Sequence, residues 1–397
     1  MFLQQLGRGL RRARDKSILT VLDVTGRQHP SFRFDRHLRE LLGQTPRELR
    51  LFIQTGSGRL PSGCVLQFEE RAQRDILERV AHAMPSDVTG IRALLSAHRE
   101  AGWTLDQFLE ETDVDLMDLY RGKRSWTSVR ADVGLGAMPT DEEERSALEN
   151  VQNLLHVSDP LRLEAWKGML DLREALNEIE RRLAAMLFVV LYGPYEADRF
   201  DERLAAWRSQ AALREELRQL LPVLEKRADS LHRRETVDPN VPLVVHGRYL
   251  DVELAAALHV VAATDGRYRR FYTGVEKACD GRYDLLLTTL DKTDQKHAHL
   301  QYRDFPLGET LFQWQSKAST RADEPAGLRL IRPGDQGTTP LLFVRDAKRD
   351  ARGLTQAFRY LGPVIPATHS GERPITIEWK LGTPLLPEWV RRWGPAA

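Results

Sequence analysis

Cysteine is nearly missing from this 397-residue chain: Cys64 and Cys279 are the only two, and they lie far apart. That count excludes a disulfide framework and a cysteine-built zinc site, both of which need clustered thiols. Reduced thiols in a cytoplasmic protein are the simplest account, and neither cysteine has an evident paired base that would make it a nucleophile. Long apolar runs are missing as well. The longest, Leu183 to Tyr192, falls well short of the roughly 20 residues that a membrane-crossing helix needs; it reads as a buried core helix, and no membrane partner is expected. The opening Met1-Phe-Leu-Gln-Gln lacks the basic region, apolar core and small-residue cleavage site of a secretory signal.

Charge of one sign is also lacking, since 58 Lys plus Arg stand against 57 Asp plus Glu and leave a formal +1. The surplus of cations lies from Val241 onward. Phosphate contacts require only a local basic stripe, so this balance neither demands nor forbids nucleic acid. The most consequential absence is chemical. No Gly-x-x-x-x-Gly-Lys-Ser/Thr loop occurs anywhere, and no Asp-Glu-x-Asp/His run follows an apolar strand, so the usual cradle for nucleotide phosphates and magnesium is not present. No metal site is expected either: His297 and His299, with Asp291 or Asp294 nearby, supply two imidazoles without a third certain ligand and read as a solvated loop.

What is present is ordinary globular material, 42% hydrophobic and 29% charged, in a length that suits two or three domains. At the start, Leu3, Leu6 and Leu10 recur at helical spacing while Arg8, Arg11, Arg12 and Arg14 line another face, which by periodicity alone is a basic amphipathic helix. A nearly continuous apolar run, Ser17 to Val24, follows, as expected of a strand buried on both faces of a parallel sheet. Within this stretch Gln4-x-x-Gly7-Arg8-x-x-Arg11 resembles the last motif of a superfamily 2 helicase motor. The resemblance implies that Arg8 and Arg11, with Gln4, act as arginine-finger residues on a γ-phosphate, and only in a complete motor. It implies the C-terminal part of a helicase-type protein, with no cofactor of its own and with ATP and magnesium belonging to the whole machine.

Three segments follow from the patterning, and together they predict an α+β multidomain chain. Residues 1–26 would be a short remnant of a RecA-like α/β lobe. Residues 27–237 are mostly helical, with helices expected near 32–42, 46–53, 70–83, 87–101, 104–111, 114–120, 140–155, 159–171, 174–192 and 198–231, and a short strand at 64–68. The polar stretch His232 to Pro242 is the best linker. Residues 241–397 change period: after a helix from Asp251 to Val261, strands are expected at 283–290, 311–316, 328–331, 341–345, 358–365 and 374–381, with a docked helix at 386–393. Short strands at such spacing suggest a barrel-like domain.

Inside the helical segment, Gly102 to Trp126 could form a small helix-turn-helix unit, Thr104 capping a helix with Leu105, Phe108 and Leu109 on its apolar side and a second helix running around Leu116, Leu119 and Tyr120. The basic turn of Arg121, Lys123 and Arg124 would then touch a phosphate backbone. The plainer reading is a helical connector with a solvated charged turn.

The C-terminal segment carries a second resemblance. Leu287-Thr-Thr-Leu-Asp-Lys292, Tyr302-Arg-Asp-Phe305, Leu311-Phe-Gln-Trp-Gln-Ser-Lys-Ala-Ser-Thr320, Leu342-Phe-Val-Arg345 and Tyr360-Leu-Gly-Pro363 resemble the uncharacterised C-terminal domain attached to bacterial superfamily 2 helicases, an arrangement similar to SauUSI-like type IV restriction enzymes. The resemblance implies a DNA partner, a reader of modified cytosine, and a helicase or nuclease subunit that supplies the missing motor. Reading a modified base by flipping it out requires a ring to stack on its face and polar groups for its edge. Tyr302, Phe312 and Trp314 offer rings; Asp304, Gln313, Gln315 and Ser316 offer donors and acceptors. On a strand, Phe312, Trp314 and Ser316 share one face and the glutamines the other, so the alternative is that Phe312 and Trp314 fill the core. Two further functional readings stay open: a helicase-associated module that binds protein or RNA, and an inactive truncated helicase fragment.

Overall fold

The computed structural model describes residues 87–112, 114–171, 176–228, 241–271, 274–291, 304–350 and 353–394, and the elements counted are those of these residues. The expected RecA-like remnant with Gln4, Arg8 and Arg11, the expected elements before residue 87, and Tyr302, His297 and His299 lie outside them. The chain divides into two compact units between Leu119 and Tyr120.

The first unit contains α1 (Val88–Ala97), α2 (Leu105–Thr112) and α3 (Leu116–Leu119). Its helix starts are written in side chains that satisfy the orphan N–H groups of a first turn. Gly90 N donates to Asp87 Oδ1 at 2.7 Å and Met117 N to Asp115 Oδ1 at 2.7 Å. Thr104 and Gln107 bond reciprocally, Thr104 N to Gln107 Oε1 at 3.0 Å and Gln107 N to Thr104 Oγ1 at 3.4 Å. Ile91, Leu95, Leu105, Phe108, Leu116 and Leu119 are buried, the positions that the helical period selects.

The second unit opens with α4 (Trp126–Asp132), α5 (Glu142–Asn150), α6 (Pro160–Leu170), α7 (Glu178–Tyr192), α8 (Phe200–Ser209) and α9 (Ala211–Arg227). The single helix expected over 198–231 is therefore two, separated at Gln210, whose φ of −82° and ψ of 84° leave the helical region. Leu183 to Leu191 of α7 are all buried, as a core helix requires. Two acidic side chains of this unit cap the helices of others. Glu216 of α9 accepts from Trp126 N at 2.8 Å and Thr127 N at 2.7 Å at the start of α4, and also from the Tyr120 hydroxyl at 2.6 Å. Glu144 accepts from Leu213 N at 3.0 Å at the start of α9. A buried carboxylate is thereby matched with N–H groups that carry the positive end of a helix dipole.

The rest of the unit holds α10 (Asp251–Ala257), α11 (Pro325–Ile331), α12 (Pro387–Trp393) and eight strands: β1 (Arg248–Tyr249), β2 (Val275–Ala278), β3 (Tyr283–Thr289), β4 (Phe305–Pro306), β5 (Leu311–Gln315), β6 (Thr339–Arg345), β7 (Phe358–Ser370) and β8 (Thr376–Leu381). They form one mixed sheet in the order β2-β3-β6-β7-β8-β5-β4, with β1 on β7. Only β3 and β6 are parallel. The sheet is open, which corrects the barrel-like expectation: β2 and β4 end the path and do not pair with each other, so closure fails for want of a final ladder. A second correction concerns 328–331, expected as a strand and found in α11. Pro325 occupies the first turn, where its fixed φ favours a helix and its missing N–H costs nothing. Gly327 is required there, because a Cβ would stand 2.0 Å from the Arg321 carbonyl oxygen.

β7 bends as it crosses the sheet. Its pairing with β6 slips between Leu342 and Phe343, and Gly362 sits there with φ +94°, a conformation natural only to glycine and typical of a bulge. Leu286, Leu342, Leu361 and Trp379 from the strands pack with Leu330 of α11 and with Trp389 and Trp393 of α12 in one core.

The boundary expected near Val241 is bridged by buried charge. Arg162 of α6, its cap Asp159 and Glu253 of α10 are each 0% exposed. The Arg162 guanidinium donates to Asp159 Oδ2 at 2.6 Å, Glu253 Oε1 at 2.5 Å and the Arg248 carbonyl at 2.6 Å, and lies 4.2 Å over the Tyr249 ring. His156 adds a contact to Glu253 Oε2 at 2.7 Å. Burial works against the Arg162 charge, but Asp159 and then Glu253 outweigh it and raise its pKa. Burial likewise opposes the Glu253 charge, yet Arg162 and His156 hold its pKa below the ordinary value. Residues on both sides of residue 241 thus share one core, and the compact unit extends from Tyr120 to Ala397.

Candidate nucleic-acid interface

β5, with the sequence Leu-Phe-Gln-Trp-Gln, lies between β4 and β8. Its register sets Phe312 opposite Trp379 and Trp314 opposite Ile377 on one face, and Gln313 opposite Glu378 and Gln315 opposite Thr376 on the other. The first face is core. Phe312 is 0% and Trp314 4% exposed, and the Trp314 and Trp379 rings stand 6.2 Å apart. The structure therefore gives these two rings to packing beneath the sheet surface, where they cannot meet a base unless the core opens.

The polar residues around β5 hold it in place. Gln315 N donates to Asp304 Oδ1 at 2.9 Å, and its side-chain amide donates to Thr376 Oγ1 at 3.1 Å. Ser316, 1% exposed, accepts from Ile375 N at 2.9 Å and donates to the Lys317 carbonyl at 3.2 Å. Asp304 and Ser316 thus fasten the C-terminal end of the block to the residues that open β4 and β8, and Gln315 keeps its side chain on the outer face.

That outer face is open. Across the strands it presents the row Thr368, Glu378, Gln313 and Phe305, and beside it the row Ile365, Lys380 and Leu311. Phe305 and Gln313 are partly exposed, Lys380 is exposed, and Ile365 is 68% exposed. Phe305 is the aromatic ring that the described open face offers. Its residue stood in the Tyr302-Arg-Asp-Phe305 stretch of the sequence, but only the β4–β5 register reveals that it shares a face with Gln313.

The basic turn is held by the helices of its unit. Arg121 and Lys123 are exposed and Arg124 partly so. Lys123 adopts φ +66° after Gly122 at +70°, its N–H donates to Gln152 Oε1 at 3.4 Å, and its ammonium pairs with Glu149 at 3.2 Å. The turn is tied down against α5, and Trp126 beside it is buried with its indole N–H on Gln219 Oε1 at 2.9 Å. The junction of the two units also falls within the expected helix-turn-helix, after α3.

No group of three or more His, Cys, Asp or Glu side chains positioned to hold a metal occurs among the described residues, and no described helix is long and apolar enough to cross a membrane. No curated protein matches the chain. Residues 259–391, which take in β2 through β8 and most of α12, are similar to a family described as a domain of unknown function (DUF3427).

Proposed function

We propose that residues 241–397 supply DNA recognition, with preference for modified cytosine, to a helicase-type restriction or defence protein, and that the helices before them couple this reader to an ATP-driven motor on a helicase or nuclease partner. The observation that carries the reading is the similarity of residues 259–391 to a domain commonly found in helicase-associated proteins, together with a sheet whose outer face, among the described residues, exposes polar side chains beside Phe305, Leu311 and Ile365. The Gln4-x-x-Gly7-Arg8-x-x-Arg11 stretch supports the motor connection.

On this reading the open face does the recognition. Gln313 and Gln315, with Thr376 and Thr368, supply donors and acceptors for a base edge, and Phe305 supplies the stacking ring. Phe312 and Trp314 act beneath them as the rigid floor that holds the glutamines in register. Tyr302, three residues before Phe305 in the sequence and outside the described residues, is a further ring for base stacking on this reading.

The test is fluorescence anisotropy of the full chain on duplexes carrying methylated, hydroxymethylated or unmodified cytosine at matched salt. Tighter binding to modified DNA is expected, and Phe305→Ala should weaken that binding by about 1–3 kcal/mol, the usual range for one stacking ring. Equal affinity of the wild-type chain for all three duplexes would remove the modified-base preference. Absence of DNA binding altogether would remove the recognition role.

A further inference from the structure

A second surface, built at the end of the sheet where β6 leads into β7 and α12 docks, has a different chemistry. Asp346, just past β6, receives three donors: Trp393 Nε1 at 2.7 Å on Oδ1, and Arg392 Nη2 at 3.0 Å and Gln356 Nε2 at 3.3 Å on Oδ2. The carboxylate is thus occupied by groups from α12 and from the hairpin that joins β6 to β7. Lys348 and Arg349 follow it along the chain and Arg391 precedes the Arg392 that reaches it, and all four cations are exposed.

Two more arginines at this end, both partly buried, stand over aromatic rings. Arg345 lies 4.1 Å over Phe358, donating to Thr289 Oγ1 at 2.9 Å and to the Gln356 carbonyl at 3.3 Å. Arg359 lies 4.1 Å over Trp389 and donates to the His246 carbonyl at 2.8 Å. Arg349 is itself anchored, Nη1 donating to the Gly353 carbonyl at 2.6 Å. Against these six cations the same segments carry Asp346, Asp350 and Glu388, Asp251 acts on the Arg345 charge and Asp291 joins Asp346 through its backbone N–H, so cations outnumber carboxylates by one, and four of the cations are exposed. Guanidinium groups fixed on rings and carbonyls lose little freedom on meeting an anion, and their planar forks suit phosphate oxygens.

We infer that this basic end of the sheet tracks the phosphate backbone of nucleic acid, independently of sequence and of base modification. The inference rests on the DNA-recognition reading and divides its labour: the α12 and β6–β7 end positions the duplex, and the open face of β5 and β8 reads it. Phosphate contacts position and base contacts specify in such interfaces.

Two variants test it in the full chain by anisotropy over a range of salt: Lys348→Glu with Arg349→Glu, and Arg391→Glu, with Arg391→Lys as a charge-preserving control. All three positions are exposed, so folding should be kept, and circular dichroism and melting establish that it is. For every phosphate that a variant no longer neutralises, the slope of log K against log[salt] should fall by about 1. The charge reversals should weaken modified and unmodified duplexes equally, with Arg391→Lys close to wild type. Folded variants that keep wild-type affinity and salt slope, while the wild type binds DNA, would overturn the inference and leave the recognition reading standing. Selective loss on modified DNA alone would also overturn it. A wild-type chain that binds anionic vesicles or an acidic peptide but no duplex would overturn both.

Discussion

The two halves of the sheet are built on different principles. In β3 and β6 the buried residues run on without interruption, Tyr283 to Leu286 and Pro340 to Val344, and β7 is likewise largely buried from Phe358 to Val364. In β5 and β8 buried and partly exposed residues alternate, and β7 from Ile365 to Ser370 is largely exposed. The first half is covered on both faces, as expected for a sheet that contains a parallel pair. The second is covered on one face only, by the core that includes α11 and α12. One strand, β7, belongs to both, and its bulge at Gly362 lies where the change is prepared. Cover sets what each half can do: one is given to packing, and the other leaves side chains at the surface.

The sharpest break of that comparison lies behind the covered half. Arg162 donates to the Arg248 carbonyl of β1, and β1 pairs with β7 through Arg248 opposite Arg359 and Tyr249 opposite Phe358. Replacing Arg162 with Met would leave Asp159 and Glu253, each 0% exposed, without their cation. Removing one partner of a buried ion pair typically costs about 3–5 kcal/mol, because a charge remains uncompensated. Chemical denaturation of Arg162→Met should show a loss of that order. A stability within error of wild type would mean that the network carries no structural burden.

The same network sets an acid limit. Glu253 has its carboxyl held below the ordinary glutamate value of 4.5 in the fold, chiefly by Arg162 against the opposing effect of burial. A depressed folded pKa gives stability that is fully present above the unfolded value and is lost as pH falls through the folded one. Glu253→Gln should therefore be less stable than wild type near neutrality, and the gap between their melting temperatures should narrow as pH falls below about 4.5. A gap that stays constant across that range would show that Glu253 contributes through shape and hydrogen bonding, without its charge.

Much of this architecture was legible in the residues. The apolar continuity of Tyr283–Leu290 and Leu341–Arg345 and the alternation of Leu311–Ser316 each mark a strand that is found, because period reports directly on how many faces are buried. Leu328-Arg-Leu-Ile misled, since four alternating residues fit a strand while the helix signal lay upstream in Pro325. β1, β2 and β4 run two to four residues, too short to show a period. Barrel closure cannot be read from strand patterns at all, because it depends on which edges pair. At the candidate interface, alternation placed Phe312 and Trp314 on one face and the glutamines on the other. Deciding that the aromatic face is core required the register with Trp379 and Ile377, and the same register brought Phe305 beside Gln313. Lys348-Arg349 and Arg391-Arg392 gave no joint signal in the sequence because the two pairs lie far apart along the chain, and only the contacts of Arg392 and Trp393 with Asp346 link their segments.

The smallest expected effect tests the difference between the halves most directly. Gln313→Ala removes a partly exposed side chain from the open face, and surface substitutions of that kind usually change stability by less than about 0.5 kcal/mol. Leu342→Ala removes a 0% exposed side chain from the covered half, where a buried Leu→Ala change costs about 2–5 kcal/mol. Measured side by side by denaturation, the two variants should differ several-fold in effect. Only Gln313→Ala should alter the affinity of a fully folded chain for DNA. If Gln313→Ala destabilised as much as Leu342→Ala, the outer face of β5 and β8 would be a second packing surface covered by part of the chain itself. The division between a structural and a reading half would then be lost.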